Sequence, residues 1–191
     1  MVTKFLRENV WAAVAVTFLR IYLGWQWLDA GGHKLTGEGF NATGFLNNAI
    51  AKPVADKATG LAVYPTYTGF LEHFALPNVK LINFLIPVGE FLVGLGLIVG
   101  GLTAAAAFFG LMMNFLFLFA GTVSTNPWLT LLGVIVFIAG ANAGKFGLDY
   151  YLMPLLRKGW KKLIHRGKNP DATGTTGANG NAGTTGAIGR A

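Results

Sequence analysis

Long apolar runs constrain this chain more than any other feature of its sequence. The runs cover residues 11–31, 81–102, 104–120 and 127–144. A helix needs about 20 predominantly apolar residues to cross a hydrocarbon core of about 30 Å. Only 12% of the residues are charged, against about 25% in a typical soluble domain. We therefore predict an all-α integral membrane protein, built as a four-transmembrane-helix bundle.

Basic residues near the ends of the runs predict the orientation in the cell membrane. Lys4 and Arg7 precede the first run, and six of the fifteen Lys and Arg residues lie between 157 and 168. Because Lys and Arg concentrate on the cytoplasmic side, we expect a multi-pass protein with both termini cytoplasmic. The net charge of +7 comes largely from this one cluster, so a lipid bilayer is the expected partner and nucleic acid is not.

Composition divides the chain into three parts. Residues 1–156 form the predicted membrane domain, with its first run retained rather than cleaved as a signal peptide, since that run contains a charge and is too long. Residues 157–168 form a basic, cytoplasmic interfacial segment, and an interfacial helix is predicted over residues 146–162, so the helix covers the first part of that segment. Residues 169–191 are Gly-rich and predict a disordered tail. Aromatic residues around Phe45 and Tyr67 predict two short extracytoplasmic interfacial helices between the first two runs.

Two residues each place a full charge inside an apolar run. Arg20 lies roughly 16 Å inward from Gly31, and Glu90 lies roughly 14 Å inward from Leu81, at about 1.5 Å per residue. An unpaired charge at that depth is costly, so we expect Arg20 and Glu90 to pair across the two helices. Such a pair would either fix the register of the helices or line a ligand or proton site.

Further polar residues are predicted at or near the outer ends of the helices. Asp29, His33 and Lys34 follow one another at the end of the first run. They are either solvated charges of a helix end or groups that pass protons and attract an anion. Together with Arg20 and Glu90 they predict a polar pocket open to the outside.

The third run and the loop after it add amide and hydroxyl groups to this predicted pocket. Asn114 is an intramembrane amide, which either joins helices by hydrogen bonding or contacts a ligand. Ser124 and Asn126 precede the fourth run, where they cap a helix or bind an anion or a quinone oxygen.

The absence of cysteine excludes disulfides, thiolate metal sites and iron–sulfur clusters in this chain. The three histidines, His33, His73 and His165, lie outside the predicted spans. We therefore expect no metal or haem within the chain.

Several segments together resemble the DoxX/DoxD membrane protein family over about residues 5–156. They are residues 20–34 (RIYLGWQWLDAGGHK), 89–96 (GEFLVGLG), 114–127 with the loop GTVSTNP, and 139–149. The resemblance implies a four-helix membrane protein. Its DoxD branch implies the large subunit of a thiosulfate:quinone oxidoreductase, which joins two thiosulfates into tetrathionate and passes two electrons to a membrane quinone. The resemblance also implies a second, smaller subunit as a partner. Assembly of this chain into a homo-oligomer is a further alternative.

That activity gives each polar residue an expected role by its chemistry. Candidate catalytic residues are Arg20, Glu90, Asp29 and His33. Candidate substrate-binding residues are Lys34, Asn114, Ser124 and Asn126. Thiosulfate or another small anion would meet positive charge at the outer side, and a quinone would be the electron acceptor. Two other functions stay open: a non-enzymatic membrane subunit that assembles a redox complex, and a small carrier for an anion or a lipid-like ligand.

Overall fold

The computed structural model describes residues 2–37 and 39–166, and the regular elements in those ranges are helical. The α-helices are α1 Val2–Glu8, α2 Val10–Thr36, α3 Thr43–Ala51, α4 Pro65–Phe70, α5 Val79–Val99, α6 Thr103–Phe119, α7 Asn126–Ala139 and α8 Asp149–Arg166. A π-helical turn, Leu71–Ala75, continues α4, and a 3₁₀ turn, Gly140–Asn142, follows α7. The predicted all-α class is confirmed. The predicted disordered tail, residues 169–191, lies outside the described residues.

One compact unit of the chain ends at Pro154, and the rest of α8 belongs to a second. In the first unit α2, α5, α6 and α7 alternate in direction. We call the end at Thr36 and Val79 the upper end and the end at Val10 and Val99 the lower end. The shared core lies along these four helices, with Leu23, Val93, Leu97 and Val136 among its most buried members.

Glycines bring α2 and α5 close together. A Cβ added at Gly94 would collide with the backbone nitrogen of Leu28, and one added at Gly31 would meet the backbone of Phe91. One added at Gly24 would lie 2.9 Å from the carbonyl oxygen of Gly94. Small residues at such crossings let helix backbones approach where lipid gives no hydrophobic drive for association. These contacts fix the register of the two antiparallel helices.

A tight turn joins α5 to α6, as the Gly100, Gly101 and Thr103 sequence predicts. Gly100 ends α5 with φ +70°, a left-handed conformation that glycine adopts at little cost. The backbone N–H groups of Gly100 and Gly101 both donate to the carbonyl of Gly96. The carboxylate of Asp149 then accepts hydrogen bonds from the N–H groups of Leu102 at 2.6 Å and Thr103 at 2.8 Å, which caps the first turn of α6.

The segment between α2 and α5 forms a cap on the upper end. Its two helices, α3 and α4, lie where the aromatic pattern predicts them, and they share a second core cluster with Ala120. The ring of Phe45 contacts that of Phe117 edge to face, and Tyr64 and Tyr67 pack against Phe119. The side chain of Asn83 accepts a hydrogen bond from the N–H of Ala42 at 2.7 Å, so the cap is also tied to α5.

The helix bounds differ from the predicted ones in several places, and α7 ends at Ala139, five residues before the predicted end of the fourth span. α2 continues five residues beyond Gly31 to Thr36, so His33 and Lys34 lie within the helix rather than after it. The predicted interfacial helix begins at Asp149 and ends at Arg166. Of the helices in the described ranges, α5 is the one both long and apolar enough to cross a membrane; α6 and Asn126–Asn142 are apolar but shorter.

Candidate functional site

The buried carboxylate of Glu90 pairs with Lys34. The Lys34 ammonium donates to both carboxylate oxygens at 2.5 Å, and Glu90 is 2% exposed. Lys34 lies one turn above Gly31, where α2 meets α5, so its long side chain reaches down to Glu90. The ammonium also lies 5.4 Å from the centre of the Phe40 ring, within the range of a cation–π contact.

The predicted Arg20–Glu90 pair is wrong. Arg20 lies at the lower end, where its guanidinium occupies the space that a Cβ on Gly100 or Gly147 would need. Gly100 is ten residues after Glu90 on α5, so the two charges are separated by about 15 Å along the helix. The prediction measured depth from the ends of the apolar runs, but glycine contacts set the actual register of α2 and α5.

Arg20 instead belongs to a polar cluster at the lower end. Its guanidinium is 1% exposed, and Asp149 is the acid whose charge acts on it. Both carboxylate oxygens of Asp149 are engaged by the N–H groups of the α5–α6 turn, and Nε and Nη1 of Arg20 are buried without a hydrogen-bond partner among the described residues. This cluster joins α2, the α5–α6 turn and the start of α8.

Asp29 and His33 form a second pair on another face of α2. His33 Nε2 lies 3.2 Å from Asp29 Oδ1, and both side chains are largely exposed. Asp29 is five residues from Lys34, about 140° around a helix with 3.6 residues per turn. The predicted single pocket is therefore divided: Lys34 turns inward to Glu90, and Asp29 and His33 turn outward.

A shallow groove in the surface follows the outward face of α2. Its lining residues are Trp25, Leu28, Asp29, Gly32, His33 and Thr36. A second depression lies at the lower end beside α1, lined by Lys4, Phe5, Glu8 and Asn9. Neither is lined by Glu90 or Arg20.

Asn114 faces the bundle interior in the same half of the molecule as Glu90. It is 1% exposed, and its Oδ1 makes no hydrogen bond to the described residues. Gly110, one turn below it, faces Val93 and the indole nitrogen of Trp27, which lies 3.3 Å from the Cβ position of Gly110. Asn114 thus adds an amide to the interior at about the depth of Glu90.

Ser124 and Asn126 lie in the connection between α6 and α7. Ser124 is exposed with φ +37°. Asn126 begins α7 and donates from its side-chain nitrogen to the carbonyl of Thr122 at 2.9 Å. Its amide therefore makes a local hydrogen bond within the connection. The structure does not bring these two residues to Glu90.

Sequence reasoning missed three polar contributions to the upper half. Thr130 of α7 has a buried hydroxyl without a partner among the described residues. Asn83 lies seven residues before Glu90, a spacing that places both on one face of α5 and was a usable signal. Tyr67 donates its hydroxyl to the carbonyl of Leu116 at 2.8 Å, and burial raises the pKa of Tyr67 to about 12.

Comparison with known proteins gives one family. The model of a family described as "TQO small subunit DoxD" matches residues 16–168. That description names a small subunit, so the expectation of a large subunit is not supported. No curated protein and no solved structure matches the chain.

Proposed function

The chain belongs to the DoxD family, and from that premise we propose that it is a membrane subunit of a thiosulfate:quinone oxidoreductase. In the proposed reaction two thiosulfates and one quinone take up two protons and give one tetrathionate and one quinol. The sulfur–sulfur bond of tetrathionate forms as two electrons leave the thiosulfates, and the quinone receives both electrons.

Exposed apolar side chains support a four-span arrangement of α2, α5, α6 and α7. On α2 the exposed residues Trp11, Phe18 and Trp25 follow one another at intervals of seven, which places them near one face. α5, α6 and α7 also expose Phe84, Phe108 and Leu131. Lipid is the solvent that suits such surfaces. With four spans the basic residues at both ends would share the cytoplasmic side, and the upper end would face outside.

The observation that carries the proposal is the pair between buried Glu90 and part-buried Lys34 near the upper end. A buried ion pair in an apolar bundle is a functional-site candidate by default. Lys34 is positioned between Glu90 and the surface, where an ammonium suits the thiosulfate dianion. Glu90 would then accept or release a proton as the charge of the bound anion changes. Asn114 would supply a neutral polar wall.

The interior below Glu90 disfavours the carrier alternative. Trp27, Val93 and Leu97 are almost fully buried there and belong to the continuous core of the four helices. A carrier would need a polar path to the lower end, and these side chains occupy that route. A non-enzymatic subunit remains the second candidate, and the experiment below separates it from the enzyme.

Glu90→Gln and Lys34→Met variants test the proposal. Membranes carrying this chain, alone and with the companion subunit implied by the family, are assayed for thiosulfate-dependent reduction of a soluble quinone analogue. We expect both variants to lose at least tenfold in rate, while the exposed Glu72→Gln retains the parent rate. No reduction in either membrane preparation, with folded protein present, would contradict the enzyme. If the rate of quinone reduction with the companion subunit is the same for both variants as for the parent chain, this chain is the non-enzymatic subunit.

A further inference from the structure

The groove on α2 is separate from the Glu90–Lys34 pair, and neither residue of that pair lines it. Trp25 is nine residues from Lys34, about 180° around the helix, so the groove and the Glu90 site lie on opposite faces. Asp29 and His33 sit above Trp25 on the groove side, one and two turns up the helix. The proposed chemistry at Glu90 therefore leaves an acid, an imidazole and an indole unassigned.

These three groups suit a planar ring that carries carbonyl oxygens. The indole of Trp25 is 61% exposed and offers a flat face for stacking. Asp29 Oδ1 lies 3.2 Å from His33 Nε2, which leaves Nδ1 of the imidazole for a hydrogen bond. Gly32 keeps the space between them open, because a Cβ added there would meet nothing within 4 Å.

The position of the groove favours a ligand that arrives through the bilayer. The exposed aromatic residues Trp11 and Phe18 lie below Trp25 on the same side of α2, so in the four-span arrangement this side would face lipid. The Asp29–His33 pair then lies near the upper membrane surface, where an imidazole can exchange protons with water. Lipid below and water above match a lipid-soluble tail with a polar headgroup.

We propose that this groove binds the headgroup of the membrane quinone, with Trp25 against the ring and His33 hydrogen-bonded to a ring carbonyl oxygen. The inference rests on the proposed oxidoreductase function and adds a second, separate site to it. When two electrons from two thiosulfates reduce the ring, two protons must reach its oxygens. In its protonated form, with one N–H toward Asp29, the imidazole of His33 gives one proton from Nδ1 and becomes neutral; solvent then restores that proton and supplies the other. Asp29 is a positioning residue, since it orients the imidazole.

A photoreactive azido-quinone tests the site without requiring turnover. The probe is added to the purified full chain in lipid vesicles, illuminated, and mapped by mass spectrometry. We expect labelling within residues 25–36, suppressed by excess unlabelled quinone. Trp25→Leu and His33→Ala should each lower that labelling about tenfold. Trp11→Leu is the matched control, because Trp11 is also exposed on this side but lies outside the groove, and it should keep parental labelling.

The outcomes separate this inference from the function on which it rests. Competable labelling of the groove without thiosulfate-dependent turnover supports the site and contradicts the proposed function. Turnover accompanied by labelling elsewhere, or by groove labelling that neither variant lowers, overturns the site alone. Labelling that excess quinone does not suppress shows adsorption to an apolar surface only, and it overturns the site as well. Because both variant positions are exposed on α2, we expect these proteins to fold; parental thermal stability checks this.

Discussion

At the scale of single residues, each buried charge has its own environment. Glu90 receives two hydrogen bonds from Lys34, whereas Arg20 faces Asp149 at the other end of the bundle. Removing one member of a buried pair leaves an uncompensated charge, while removing both can cost little. This difference makes the pairing measurable.

A double-mutant cycle should show coupling between Lys34 and Glu90. We expect Lys34→Met to lower the free energy of unfolding by about 3 kcal/mol, and Lys34→Met combined with Glu90→Gln to recover a substantial part of that loss. The exposed Lys80→Met is the control for removing a lysine charge. The measurement is the free energy of unfolding in mixed micelles. Additive effects of the two substitutions would mean that the pair does not form.

The same cycle applied to Arg20 and Glu90 should give additive effects. The two residues are about 15 Å apart along the helices, and sites more than about 10 Å apart without shared partners couple by less than about 0.5 kcal/mol. We therefore expect Arg20→Leu and Glu90→Gln to add within that margin. A coupling energy above about 1 kcal/mol would show that Arg20 and Glu90 do interact across the two helices, as the sequence suggests.

Tyr67 should hold the cap on the upper end through one hydrogen bond. We expect Tyr67→Phe to cost about 1 kcal/mol at neutral pH, read as a lower melting temperature. Burial raises the pKa of Tyr67 from 10.0 to about 12, so the folded state binds this proton more tightly than the unfolded state. The parent protein should therefore lose stability relative to Tyr67→Phe as pH rises from about 10 to about 12. A difference that stays constant over that range would show that this hydroxyl does not titrate as described.

At the scale of helices, the α2–α5 contact depends on glycine more than on charge. Gly94 and Gly89 both lie in α5, which makes them a matched pair. A Cβ at Gly94 collides with backbone of α2, whereas one at Gly89 meets only the flexible end of Met113, with its sulfur at 3.3 Å. Replacing glycine by alanine improves helix propensity at both positions by up to about 1 kcal/mol. A loss of stability on this substitution therefore shows a steric clash in the packing.

Gly94→Ala should destabilise the bundle, and Gly89→Ala should not. We expect a loss of about 2 kcal/mol for the first, as for other overpacked contacts, and a change near zero or a gain for the second. Thermal unfolding followed by circular dichroism measures both. Equal melting temperatures for the two variants would contradict the close approach of α2 and α5.

Helix positions were more predictable from the sequence than helix contacts. The aromatic pattern around Phe45 and Tyr67 predicted α3 and α4, because amphipathic periodicity reports a local preference. Gly100 and Thr103 predicted the α5–α6 hairpin for the same reason. The partner of Glu90 was missed because it depends on which residues of two distant helices meet. The charge of Lys34 makes it a candidate in the sequence, but nothing local shows that α2 continues to Thr36.

At the scale of the whole molecule, the two ends of the bundle differ chemically. The upper end has the Glu90–Lys34 pair, the α2 groove and the cap, and the lower end has Arg20, Asp149 and the base of α8. A four-span bundle would present these ends to opposite sides of the membrane. The chain contains no cysteine, so single introduced cysteines can report each side without background.

Introduced cysteines should separate the two ends by accessibility. In intact cells a membrane-impermeant maleimide should label Thr59→Cys and Ser124→Cys, and it should label Lys4→Cys and Lys158→Cys only after permeabilisation. All four positions are exposed, so burial does not explain a difference. Labelling of Lys4→Cys in intact cells would contradict cytoplasmic termini.

The side from which thiosulfate acts tests the central claim most directly, because the dianion does not cross lipid. Sealed right-side-out and inside-out vesicles containing the chain and its companion subunit are supplied with external thiosulfate and a quinone analogue. We predict quinone reduction in right-side-out vesicles, and in inside-out vesicles only after detergent opens them. Reduction that begins in sealed inside-out vesicles, or none in either orientation even after opening, would contradict an outward-facing thiosulfate site on this chain.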